Sequence, residues 1–260
     1  MAGGLLSLVS QGQQSIILYG NPSKTFFKTT YAKTTNFGLQ KFRVDFEGAK
    51  RLNLTEESTF QFKIPRYADL LMDTYITVDI PNIWSPIYPP TPETGNKWAP
   101  YEFKWIENLG SKMISKITIT CGNQKLQEFS GDFLLAQIQR DQTGTKRFLF
   151  DKMTGDTQDL NDPGNSGARV NSYPNAYYTE SNSGPEPSIR GRTLYIPLNA
   201  WFCHKSQRAF PLISLQYNEL MVTVTFRPIN ELFVIRDVFD SQFDFPYVAP
   251  NFNLPHMQFF

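Results

Sequence analysis

The sequence predicts an all-β protein, a sandwich of antiparallel strands, on three observations. Apolar and polar residues alternate with a period of two in several separate runs. Aromatic residues make up 15% of the 260 residues, with 22 Phe and 12 Tyr. Eighteen Pro and 16 Gly punctuate the chain and favour strands and turns over helical bundles. A chain of this length buries a core of its own, roughly 70% of the surface it exposes when unfolded.

The strands follow in order. Phe42, Val44 and Phe46 alternate with Arg43 and Asp45. Phe60, Phe62 and Ile64 alternate with Thr59, Gln61 and Lys63, and Ile76, Val78 and Ile80 with Thr77 and Asp79. Such runs are half-buried strands with one apolar face. Pro65 and Pro81 end two of them, because proline donates no ladder hydrogen bond. Residues 116–120 place Ile117 and Ile119 inward. Cys121-Gly122-Asn123 then turns the chain, so that residues 124–129 return as a hairpin partner. Residues 192–198 make a further strand, closed by Pro197. Leu220, Val222, Val224 and Phe226 alternate with Met221, Thr223 and Thr225 in the cleanest run of all. Residues 132–140 have the mixed spacing of a short helix, with Asp132 as its cap.

Two long loops interrupt the strands. Residues 81–100 carry Pro81, Pro86, Pro89, Pro90, Pro92 and Pro100 with Trp84 and Trp98. Residues 154–190 are rich in Asn, Ser, Gly and Pro. Loops of this length are uncommon in compact domains and serve contacts or mobility. The stretch past Pro228 loses alternation and reads as a surface-packed linker. About eight strands with long excursions indicate a sandwich, a jelly roll in particular. Periodicity alone does not separate it from an immunoglobulin-like sandwich.

The chemistry of sites is sparse. Lys plus Arg is 25 and Asp plus Glu is 24, so the net charge is +1, without the positive excess that direct nucleic-acid binding requires. Lys41, Arg43, Lys50, Arg51, Lys63 and Arg66 are scattered over outer strand faces. No run of about 18 apolar residues spans a membrane. Cys121 and Cys203 lie outside any paired motif and read as free thiols, and no zinc pattern occurs. Cys203 and His204 are adjacent, so on a strand they point to opposite faces and form no dyad. His256 is the other histidine. Asp151, Asp156, Asp159 and Asp162 lack the spacing of a calcium loop and read as a solvated acidic loop. Glu56-Glu57 reads as an exposed turn. The expectations are therefore no catalytic residue, no cofactor, no metal and no enzymatic activity. Asn53-Leu54-Thr55 makes Asn53 a candidate glycan acceptor.

Four blocks carry a resemblance. The first is residues 1–37, with Met1-Ala2-Gly3-Gly4-Leu5-Leu6-Ser7-Leu8-Val9, Gly20-Asn21-Pro22 and Thr25-Phe26-Phe27-Lys28-Thr29-Thr30-Tyr31. The second, residues 194–226, opens on Leu194-Tyr195-Ile196-Pro197-Leu198. It continues with Phe210-Pro211-Leu212-Ile213-Ser214-Leu215-Gln216-Tyr217-Asn218-Glu219-Leu220. Asn82-Ile83-Trp84-Ser85-Pro86 and Trp105-Ile106-Glu107-Asn108 are the others. Together they resemble the major capsid proteins of the nucleocytoplasmic large DNA viruses, the double jelly-roll family, in its giant-virus branch.

The resemblance supplies the choice of a jelly roll, the first of the family's two. It implies an amino-terminal arm at 1–24, a jelly-roll domain at 25–228, and a linker at 229–260 toward a second jelly roll that is absent here. It implies a structural protein of an icosahedral capsid, three copies of which form a pseudo-hexagonal capsomer. Its partners would be copies of itself, neighbouring capsomers and minor capsid proteins, with an internal membrane nearby. The virion would be its location and the host cytoplasm its place of assembly. On the residues alone two alternatives stay open. One is a carbohydrate-binding jelly roll or minor capsid protein, with Trp84, Trp98 and Tyr101 stacking on sugars. The other is a cupin-like enzyme, which would need a cluster of His and carboxylates.

Overall fold

The computed structural model describes residues 35–46, 51–92, 94–95, 97–177, 184–240 and 245–257. The arm expected at 1–24 lies outside the described residues. The chain divides into two compact units, Met1–Arg43 and Val44–Phe260. In the first, residues 35–43 are exposed and carry neither helix nor strand. All that follows concerns the second.

Its centre is a four-stranded antiparallel sheet. β1 (Ser58–Ile64) lies beside the late strand Leu220–Phe226, in a register that sets Phe60 opposite Val224 and Phe62 opposite Val222. After β1 come β2 (Leu70–Leu71), β3 (Tyr75–Ile80), β4 (Ile87–Tyr88), β5 (Ala99–Pro100) and β6 (Phe103–Trp105). A short helix, α1 (Leu109–Lys112), then leads into β7 (Ile114–Cys121), which forms a hairpin with β8 (Gln124–Phe129). Gly122 has a φ of 57° in the two-residue turn, a left-handed value that glycine adopts without a Cβ clash.

A helical insert follows: α2 (Gly131–Asp141), α3 (Gly144–Thr154) and α4 (Gln158–Asn161). The chain returns through β9 (Arg192–Pro197), β10 (Phe210–Pro211), β11 (Leu220–Phe226), β12 (Phe233–Arg236) and β13 (Tyr247–Val248). The main sheet runs β1-β11-β7-β8. The smaller sheets are β3-β9, β13-β12-β6, β10-β2 and β4-β5.

The alternation read from sequence becomes burial. On β11, Leu220, Val222, Val224 and Phe226 are buried and the residues between them are half-buried. A bulge in β7, opposite Thr225 and Phe226, lets Ile114 and Ile117 both face inward although they are three positions apart. The inward residues of this sheet meet Ile76, Ile80, Leu194 and Ile196 of β3-β9 and Phe103, Trp105, Phe233 and Ile235 of β6-β12 in one core. Each fully buried Ile, Leu or Val of this set contributes about 1.5–3 kcal/mol by leaving water.

Four expectations are corrected. Residues 42–46 alternate but form no strand. Phe46 instead stands edge-on to Phe60 and Phe62, at centroid distances of 4.9 and 6.0 Å. The helix at 132–140 is present as α2, but its cap is Ser130, whose hydroxyl accepts from the Phe133 N–H at 3.3 Å. Asp132 sits in the first turn instead, where a carboxylate suits the helix dipole. The loop read at 154–190 contains α4 and a 3-10 turn at Pro163–Asn165, and α3 precedes it. The tail past Pro228 keeps one short alternating run: β12 buries Phe233 and Ile235 and pairs with both β6 and β13.

Candidate functional site

The residues suspected of chemistry are dispersed over the fold. Cys203 ends a 3-10 turn (Trp201–Cys203), not a strand. Its thiol points at the Met72 carbonyl, 3.6 Å away, and burial pushes its pKa up. A thiol held protonated is a poor nucleophile. The His204 Nε2 atom lies 3.1 Å from the Gln137 amide nitrogen. The side chain of His256 lies outside the described residues. Cys121 is half-buried at the end of β7, and both cysteines are free. Among the described residues, no three of His, Cys, Asp and Glu converge as metal ligands.

The acidic loop is a set of tethers more than a solvated surface. Asp156 accepts from the Asn108 backbone N–H at 3.0 Å and from the Asn161 amide at 2.6 Å. The Lys104 ammonium on β6 donates to Asp162 at 2.8 Å, and the Asn165 amide donates to the other oxygen at 2.7 Å. Asp159 pairs with Arg192 on β9. Burial, reinforced by neighbouring Asp156, raises the pKa of Asp151. These contacts lash the helical insert to β6 and β9 around a polar cleft lined by Glu107, Asn108, Arg147, Asp156, Asn161 and Asp162.

The hydrogen bonds from Lys104 and Asn165 hold Asp162 below the usual carboxylate range. A carboxyl held low in the folded state stabilises it above the unfolded-state pKa of about 3.9, and this contribution disappears as pH falls through the folded value. Both partners are partly in water, so the pair is worth about 1 kcal/mol or less. Asp162→Asn is expected to lower the melting temperature by at most about 2–4 °C at neutral pH. The gap from wild type should close as the melts are repeated toward pH 3, and a gap independent of pH would refute the assignment.

A second pin was invisible in the sequence. The Tyr173 hydroxyl donates to the Phe103 carbonyl at 3.1 Å and accepts from the Phe103 N–H at 3.0 Å and from Ser85, 2.8 Å away. One phenol thereby joins the long Asn/Ser loop, the proline-rich loop and β6. A lone aromatic in the polar stretch Asn171-Ser172-Tyr173-Pro174 was the only signal.

The remaining candidates fall on the surface or in the core. Trp84 and Trp98 are exposed, but Tyr101 is 1% exposed and edge-on to Tyr88, with its pKa pushed up to about 12 by burial. The three rings therefore offer no common sugar-stacking face. Asn53 is exposed; its backbone N–H donates to the Ser58 hydroxyl and its carbonyl accepts from Ile229. Glu56 and Glu57 are exposed, and Glu57 accepts from the Ser115 hydroxyl at 2.8 Å. Lys63 pairs with Glu219 at 2.5 Å, and Arg66 donates to the Leu215 and Gln216 carbonyls. These contacts fasten the segment ahead of β11 and help set its register. Arg51 is exposed, and Lys50 lies outside the described residues.

What the arrangement provides is a braced sandwich with large outward faces and no gathered reactive groups among the described residues. The family described as major capsid protein N-terminus matches residues 25–254. The chain belongs to that family. It is 31% identical over 253 residues to the major capsid protein of Chrysochromulina ericina virus, covering 89% of this chain and 42% of that protein. It is 30% identical over 245 residues to capsid protein 1 of Acanthamoeba polyphaga mimivirus, covering 93% and 37%.

Two solved structures share the fold of this capsid-family chain. The PBCV-1 virus capsid matches with a TM-score of 0.51 at 18% identity, over 78% of this chain and 38% of that one. The Faustovirus major capsid protein matches with a TM-score of 0.50 at 15% identity, over 91% and 52%. The fold is thus the jelly-roll sandwich of viral capsid proteins. The chain spans about two-fifths of the length of these curated relatives.

Proposed function

We propose that the chain is a structural part of an icosahedral viral capsid, acting by assembly and without turnover. The observation that carries this reading is the family match over residues 25–254, nearly the whole described sandwich. Three copies of the whole protein form a pseudo-hexagonal capsomer. Its partners are neighbouring capsomers and minor capsid proteins, above an internal membrane that it does not cross. The protein resides in the virion and assembles in the host cytoplasm. Within it, residues 1–24 act as an arm, residues 25–228 form the first jelly roll, and residues 229–260 lead toward a second while closing the core through β12. Asn53, exposed ahead of β1, is the position for a surface glycan.

A capsid subunit suits this physics. Its contacts repeat in every copy, so modest surfaces add up through multivalency. The full gene product is expected to sediment as trimers. Monomers at every concentration accessible to light scattering would overturn the proposal.

A further inference from the structure

The proline-rich loop between β3 and β5 contains a segment made stiff by its covalent structure, Ser85-Pro86-Ile87-Tyr88-Pro89-Pro90-Thr91-Pro92. In each proline the ring fixes φ. Ser85, Tyr88 and Thr91 each precede a proline, which pushes them toward extended conformations. Ile87 alone escapes both restraints, and it lies in β4, which is extended as well. A segment restricted in this way favours the polyproline II helix, which has three residues per turn and so presents three edges.

Burial along the segment follows that period of three. One edge, made of Ser85, Tyr88 and Thr91, faces the domain. Ser85 is 3% exposed, and its hydroxyl lies 2.8 Å from that of Tyr173. Tyr88 is half-buried and stands edge-on to Tyr101 at 5.8 Å and to Phe239 at 5.0 Å. Thr91 is half-buried, and its N–H donates at 2.9 Å to the hydroxyl of the buried Thr94. The second edge is Pro86, Pro89 and Pro92, of which the last two are exposed. The third is Ile87 and Pro90, both exposed. The segment is thus a ridge, fastened along one edge and open along two.

That division matches the way polyproline ligands are read. A helix of three edges lays two of them into a groove of aromatic rings and turns the third away. Here the third edge is the one the domain itself occupies. The ridge carries no charge and its prolines have no N–H, so a partner has to supply ring faces and donors to the ridge carbonyls. Tyr101 already holds one end, donating its N–H to the Pro86 carbonyl at 3.0 Å. A ligand ordered before it binds loses less entropy on binding.

We infer that residues 85–92 are a docking ridge for a partner protein with an aromatic-lined polyproline groove, of the kind found in WW, SH3 and EVH1 domains. The inference goes beyond the capsid reading and does not depend on it.

The test is titration of isotope-labelled WW, SH3 and EVH1 domains with the full gene product, following the indole N–H signal of the groove tryptophan. At least one domain should show a saturable shift. Pro89→Ala combined with Pro92→Ala should weaken binding at least about tenfold. Pro81→Ala, exposed at the end of β3 and outside the ridge, should leave it as it was. These side chains are on the surface, so the melting temperature serves as a control for folding. A synthetic peptide of residues 85–92 should occupy the same groove more weakly, since it has to be ordered first. No shift in any of the domains, equal binding by the double variant, or binding by the peptide but not by the protein overturns the inference. A shift produced by monomers and lost in trimers would place the ridge between copies; that too overturns it, and leaves the capsid reading intact.

Discussion

Replacing Gly131 by alanine is expected to cost about 3 kcal/mol or more, a large share of the net stability of a domain. Gly131 opens α2, where the helix meets α1 and the start of β7. A methyl group there would overlap the Ser111 carbonyl oxygen and come within 2.6 Å of the Ile114 carbonyl oxygen. Both are backbone atoms, one in α1's last turn and one in the β7 ladder, so neither can swing aside as a side chain would. The relief has to come from moving α2 away from the sheet, which would also expose the buried Leu134 and Ile138. Gly144 is the control. It opens α3 with nothing within 4 Å of an added Cβ, so Gly144→Ala should be neutral or stabilise by up to about 1 kcal/mol. Urea unfolding of the two variants side by side decides the matter. Equal midpoints would show that the α1–α2 contact has slack that the backbone positions do not suggest.

Phe233→Ala should destabilise the domain by about 3–5 kcal/mol, as truncation of a core aromatic does. The Phe233 ring stacks on Phe103 at a centroid distance of 4.8 Å and stands edge-on to Trp105 at 6.3 Å. It is 7% exposed, so the cavity left behind would be enclosed by β6 and β12 and would not refill with water at no cost. A change of this size would establish that the segment past Pro228 belongs energetically to the sandwich. A loss below about 1 kcal/mol would instead mark it as a surface strap. Tyr217, 94% exposed, supplies the comparison: its truncation to alanine should leave the melting temperature where it is.

The strands that could be read in advance are those whose alternation runs for five or more residues and finds a partner. β1, β3, β7 and β11 are of this kind, and the apolar residue at each alternate position is buried or half-buried. Alternation was insufficient at residues 42–46, because an apolar face does not itself supply a ladder. The opposite failure occurred at β6 and β12. Three and four residues are too few for a period to register, although their aromatic and β-branched side chains fill the middle of the core. α3 was missed because Phe148, Leu149 and Phe150 are consecutive, so that only Phe150 faces inward and the helical spacing is masked. The tethers at Asp156 and Asp162 were read as solvated, since their partners Asn108 and Lys104 lie about 50 residues away in sequence.

The single phenol of Tyr173 holds two long loops to β6, and this separates what must be kept from what can change. On either side of the anchor, the chain can lengthen, shorten or swap residues with little effect on the brick beneath, provided that the hydroxyl still reaches Ser85 and Phe103. Peptides grafted near Gly184, an open position with nothing within 4 Å of an added Cβ, would therefore be displayed on a firm mount. Phenylalanine at position 173 would leave the sandwich standing and let its ornaments loosen.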